Sequence, residues 1–107
     1  MIINVVVAPN NKTLYVLDAG STGNGQVFGF ALTSGVPGTT PITSTPAATG
    51  AGPTGMAIDP TGVLLAVDNS LSHNISLFTI GSGGALTVDT PATAGVNAKF
   101  VTFYDAP

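Results

Sequence analysis

The chain has 107 residues, of which 44% are hydrophobic and only 7% charged, against roughly a quarter charged in ordinary globular proteins. Its two cations, Lys12 and Lys99, and net charge of -3 cannot neutralise a phosphate backbone or hold an anionic membrane surface, so nucleic-acid binding is excluded. Cysteine is absent, which removes disulfides and thiolate metal sites, and no apolar run is long enough to insert as a spanning helix.

In chain order, residues 2–8 read as a first strand and not as a signal peptide, because no basic leader precedes Val5-Val6-Val7. The consecutive apolar positions predict a strand covered on both faces, since a strand with one wet face alternates. Pro9-Asn10-Asn11-Lys12 supplies a tight turn into a second strand at 13–18, and a third strand is expected at 26–32. The more polar stretch 39–44 is expected as an outer strand. Strands follow at 55–59, 63–68, 74–80 and 85–89, with 99–104 last. Asp59-Pro60-Thr61-Gly62 has Asp, Pro and Gly where a type I turn wants them. Gly81-Ser82-Gly83-Gly84 reads as a hairpin link; it lacks the lysine and the following helix of a phosphate loop. No stretch carries a helical period.

The pattern occurs twice. Val7-Ala8-Pro9-Asn10 matches Ile58-Asp59-Pro60-Thr61, and Leu14-Tyr15-Val16 matches Leu65-Ala66-Val67. Val27-Phe28-Gly29-Phe30 matches Ile75-Ser76-Leu77-Phe78, and Thr45-Pro46-Ala47-Ala48 matches Thr90-Pro91-Ala92-Thr93. The offset falls from 51 to 45 residues as loops change length. A repeat of this size with four strands predicts an all-β chain of two four-stranded antiparallel propeller blades, at 1–50 and 51–97. Residues 98–107 are then an orphan strand that opens a third repeat.

Pro9-Asn10-Asn11-Lys12-Thr13-Leu14-Tyr15-Val16 and Pro53 through Gly62, closed by Asp68-Asn69, resemble the YVTN or lactonase-like propeller repeat. The resemblance covers nearly the whole chain and implies a propeller blade fold. Members of that family include lactonase-like enzymes and secreted or surface-layer repeat proteins. The enzymes are thought to use Arg and Glu in a central channel, and neither residue occurs here, so no catalytic residue carries over and no enzyme is expected.

His73 is the sole imidazole, without the partners that a metal or a catalytic histidine needs. Asp18 and Asp68 stand at matching strand ends, before loops rich in Asn, Ser and Gly. The bland reading is that each caps its strand end by accepting loop amides. The functional reading is a shallow ligand-binding face, for a sugar or Ca²⁺, made from Asp18, Asn24, Asp68, Asn69 and His73; calcium wants six to eight oxygens, and the 18–24 loop offers one carboxylate, so carbohydrate is the expected ligand. No metal and no cofactor are expected. Phe100, Val101, Phe103 and Tyr104 form an aromatic-rich segment that needs a partner and is assigned to assembly. A self-assembling structural protein, building a homo-oligomer or filament outside the cell or on its surface, is the leading expectation; a lectin-like propeller and a lactonase fragment are the alternatives.

Overall fold

The computed structural model describes residues 1–20, 23–42 and 44–93. The fold is all-β, and the described residues form ten strands: β1 (Ile2–Val7), β2 (Thr13–Asp18), β3 (Asn24–Thr33), β4 (Val36–Pro37), β5 (Ala47–Ala51), β6 (Pro53–Ile58), β7 (Leu64–Asn69), β8 (Asn74–Ile80), β9 (Leu86–Val88) and β10 (Ala92–Thr93). They form two antiparallel sheets. The first runs β1-β2-β3, with β4 and β5 both paired to β3; the second runs β6-β7-β8, with β9 and β10 both paired to β8. In each sheet the fourth strand is therefore split into two pieces.

The turns show why the strands reverse where they do. Asp59 Oδ1 accepts the amides of Val63 and Leu64 at 2.8 Å, Thr61 Oγ1 donates to Oδ2, and the Gly62 amide closes the turn on the Asp59 carbonyl. Burial pushes the Asp59 carboxyl up, but these hydrogen bonds outweigh it and hold it below the usual carboxylate value. Gly62 has φ +77°, a conformation that glycine adopts without a Cβ clash. In the matching turn Asn11 takes the left-handed conformation at φ +61°, and Asn10 Oδ1 accepts the Lys12 amide.

The repeat is geometric as well as sequential. Ile2 pairs with Asp18 and Pro53 with Asn69; Asn4 pairs with Leu17 and Gly55 with Asp68. Both inner hairpins carry a register shift at the same place, Ile2/Asn4 and Pro53/Gly55. Asp18 is thus the counterpart of Asn69, and Leu17 the counterpart of Asp68, which corrects the sequence pairing of Asp18 with Asp68.

Cross-strand partners share a face. The face of the first sheet built from Asn4, Val6, Tyr15, Leu17, Val27 and Ala47 meets the second sheet. It packs against the face built from Met56, Leu65, Val67 and Phe78 in one buried cluster. Tyr15 Oη donates to the Gly84 carbonyl at 2.7 Å across the junction, and Asn4 Nδ2 reaches the Met56 carbonyl at 3.4 Å.

Two sequence expectations change here. No strand forms at 39–42; Pro37, Pro41 and Pro46 lack amide donors, and of this stretch the Ile42 amide donates to the Gly29 carbonyl of β3 without extending a ladder. The residues of β1 are also not covered on both sides. Val6 packs on the core, whereas Val5 and Val7 are 50% and 49% exposed. The equally apolar β7 is covered on both faces, with Leu65 to Asn69 all buried.

Candidate functional site

The five residues singled out for a ligand face do not share one surface. Asp18 ends β2, where its Oδ1 accepts the Met1 amine at 2.7 Å and the Gly20 amide at 3.0 Å. The amine contact, then the Gly20 hydrogen bond, hold its carboxyl below the usual value. Asn24 begins β3, is exposed and pairs with Ala51. His73 is exposed in the β7–β8 loop at φ +57°. Asp68 and Asn69 are consecutive on β7, so their side chains point to opposite faces.

Asn69 lies at the sheet–sheet junction. Its Nδ2 donates to Asn74 Oδ1 at 3.0 Å and to Ser76 Oγ at 2.8 Å. Around it the β7–β8 loop is tied to the β5–β6 link. Ser72 Oγ accepts the Ala51 amide at 2.7 Å, and the Ser70 amide and hydroxyl both donate to the Gly52 carbonyl. A Cβ on Gly50 would sit 2.9 Å from the Asn69 amide, so glycine is what lets the two sheets close. Of the five candidates only Asn69 lies here, and its hydrogen bonds stay within the second sheet, while Ser70 and Ser72 tie the sheets together.

Asp68 is on the other side, facing away from the first sheet. It is 1% exposed, and neither carboxylate oxygen has a hydrogen-bond partner among the described residues. Asp18 caps its strand end as the bland reading expects; Asp68 does not. The Asn69 Oδ1 also lacks a partner.

Sequence reasoning missed the cavity at the opposite end of the strands. It measures about 400 Å³ and lies between the β1–β2 turn, the β6–β7 turn and the Gly81–Gly84 link. Asn10, Lys12, Thr13, Thr61 and Ser82 give it a polar lining. The signal was present: one of only two lysines sits in a turn whose repeat partner has Gly. Thr13 lies at the edge of this cavity and beside Tyr15. Burial pushes the Tyr15 phenol up to about 12, while the hydrogen bond with Thr13 acts in the opposite direction.

A phenol raised in the folded state stays neutral there while the unfolded chain ionises from its ordinary 10.0. Stability is therefore full below pH 10 and declines as pH climbs toward about 12. Replacing Tyr15 by Phe should cost about 1–2 kcal/mol at pH 7, by orphaning the Gly84 carbonyl, and should flatten that alkaline decline. Urea unfolding of both proteins between pH 7 and pH 12 checks it; an unchanged alkaline decline in Tyr15→Phe would contradict the assignment.

Among the described residues no group of three or more His, Cys, Asp or Glu could hold a metal ion. Phe100, Val101, Phe103 and Tyr104 lie outside the described residues. Compared with known proteins, the chain matches no family model and no curated protein.

Proposed function

We propose that this chain is a non-enzymatic structural repeat protein that assembles with copies of itself through its sheet faces, in the manner of propeller blades. The observation that carries the reading is the outward face of the first sheet. Cross-strand partners place Val5, Val7, Leu14, Val16, Phe28 and Phe30 together on it. None of the six is fully buried, and Val5 and Val7 are half exposed. Soluble monomers rarely leave such a contiguous apolar patch uncovered.

The same face has a built-in precedent. Val5, Leu14, Val16 and Phe30 are the repeat counterparts of Met56, Leu65, Val67 and Phe78, which the second sheet buries against the first. The open face is thus of the kind that docks on another sheet. The absence of Arg and Glu and the scarcity of charge support a role without chemistry, and a weakly charged surface favours association. A Thr-, Ser- and Gly-rich composition fits a protein working outside the cell or at its surface, and the repeat pattern fits the YVTN type.

Light scattering across a hundredfold range of concentration tests the reading. The expected result is a mass of two or more chains that grows with concentration; one-chain mass throughout would overturn it. A second reading, ligand binding in the manner of a lectin, is favoured only by the cavity of about 400 Å³. It moves the site from the Asp18 and His73 loops to the opposite end. A glycan array without signal at high protein concentration removes it.

A further inference from the structure

The cavity between the β1–β2 turn, the β6–β7 turn and the Gly81–Gly84 link is electrostatically one-sided. Asn10, Lys12, Thr61 and Ser82 line it with polar groups and Ala8 and Ile80 with apolar ones; among the described residues no carboxylate belongs to its lining. Asp59 is two residues from Thr61, but its oxygens accept the Thr61 hydroxyl and the Val63 and Leu64 amides of its own turn. Lys12 is the single Lys or Arg among the described residues, and it forms no ion pair there. The hydrogen-bonding capacity left over is mostly donating. Asn10 accepts the Lys12 amide through Oδ1 and keeps its amide hydrogens. The Ser82 hydroxyl has no partner among the described residues, and Thr61 has given its proton to Asp59 and offers only lone pairs.

We infer that this cavity binds a small hydroxylated anion, its acidic group held by Lys12 and Asn10 and its hydroxyl-bearing body by Thr61 and Ser82. The inference deepens the ligand-binding reading above and is independent of assembly. An unpaired ammonium beside neutral donors makes charge-assisted hydrogen bonds to a carboxylate or phosphate, which are roughly twice as strong as neutral ones. The volume of about 400 Å³ lies within the roughly 300–1,000 Å³ of small-molecule sites and exceeds what a bare inorganic anion fills. The walls are also fixed in advance. The Tyr15 hydroxyl holds the Gly84 carbonyl at 2.7 Å, and a Cβ on Gly84 would sit 2.8 Å from Thr13 Oγ1, so the link is clamped against β2. A preformed site loses little to ordering when its ligand arrives.

Titration of the nitrogen-labelled chain, followed through its amide resonances, tests this with glucuronate, glucose and inorganic phosphate as probes. Glucuronate should move the amides of Lys12, Thr61 and Ser82 saturably and leave those of Asp18 and His73, at the opposite end, in place. It should bind at least tenfold more tightly than glucose or phosphate. Lys12→Gln, at an exposed position, should abolish the preference for glucuronate over glucose. Ser82→Ala, also exposed, should weaken glucuronate severalfold and keep the preference. Equal binding of glucose and glucuronate, or an unchanged preference in Lys12→Gln, overturns the anionic part and leaves the ligand-binding reading standing. Phosphate binding as tightly as glucuronate overturns the hydroxylated body. Unmoved amides with all three probes overturn the whole inference, while the glycan array separately decides the ligand-binding reading.

Discussion

Replacing Phe78 by Ala should destabilise the fold by about 3–5 kcal/mol, the range for deleting a buried aromatic side chain and leaving a void. Phe78 is 1% exposed, in the middle of β8, flanked in register by Leu65 on β7 and Val88 on β9. Its ring belongs to the one cluster that also contains Tyr15, Leu17 and Val27 of the first sheet. Its removal thus weakens the second sheet and the junction together. A chain of this size has only roughly 5–15 kcal/mol of net stability to lose. Urea denaturation followed by circular dichroism should show a large drop in midpoint. Phe28→Ser, at the partly buried counterpart of Ser76, should cost less than half as much. Equal losses at the two positions would mean that the assigned faces are wrong.

Replacing Asp68 by Val should stabilise the protein by about 1–3 kcal/mol, the cost of a buried polar group left without a partner. The repeat supplies the rationale: the counterpart of Asp68 is Leu17, a fully buried apolar side chain at the same register position. One copy of the pattern therefore shows that this place in a sheet is suited to a hydrocarbon side chain. Val keeps the β-branched shape that strands favour and is closer to Asp in volume than Leu is, which limits overpacking. The measurement is the urea midpoint at pH 7 with an unchanged slope. A lower midpoint in Asp68→Val would show that the carboxylate is satisfied and contributes to the fold.

Much of the fold was legible because its strands are short, β-rich and bounded by strong turn residues. The expected strands at 13–18 and 74–80 coincide with β2 and β8. The Asp59 turn has the hydrogen bonds that its sequence promises. The outer strand of the first sheet was misplaced because a Thr-rich stretch has strand propensity, while prolines at 37, 41 and 46 deny it a ladder. The apolar run in β1 was misread because apolar composition reports that a face is fit for covering, and not that this chain covers it. The candidate site was much less legible. Neighbours in sequence such as Asp68 and Asn69 are separated by the strand's alternation. The cavity, in turn, is assembled from turns far apart in the chain, through a stacking of sheets that no local pattern encodes.

The split outer strands also bear on how such a chain can change length. Nine residues separate β4 from β5, whereas three separate β9 from β10. Yet Ala47 and Ala92 keep equivalent partners, Val27 and Ile75. Tripling a loop costs only about 1 kcal/mol of closure entropy, and both flanking pieces are clamped to the same strand. The gap therefore behaves as a built-in expansion joint: passenger sequence can enter between 38 and 46 while every ladder on either side keeps its register.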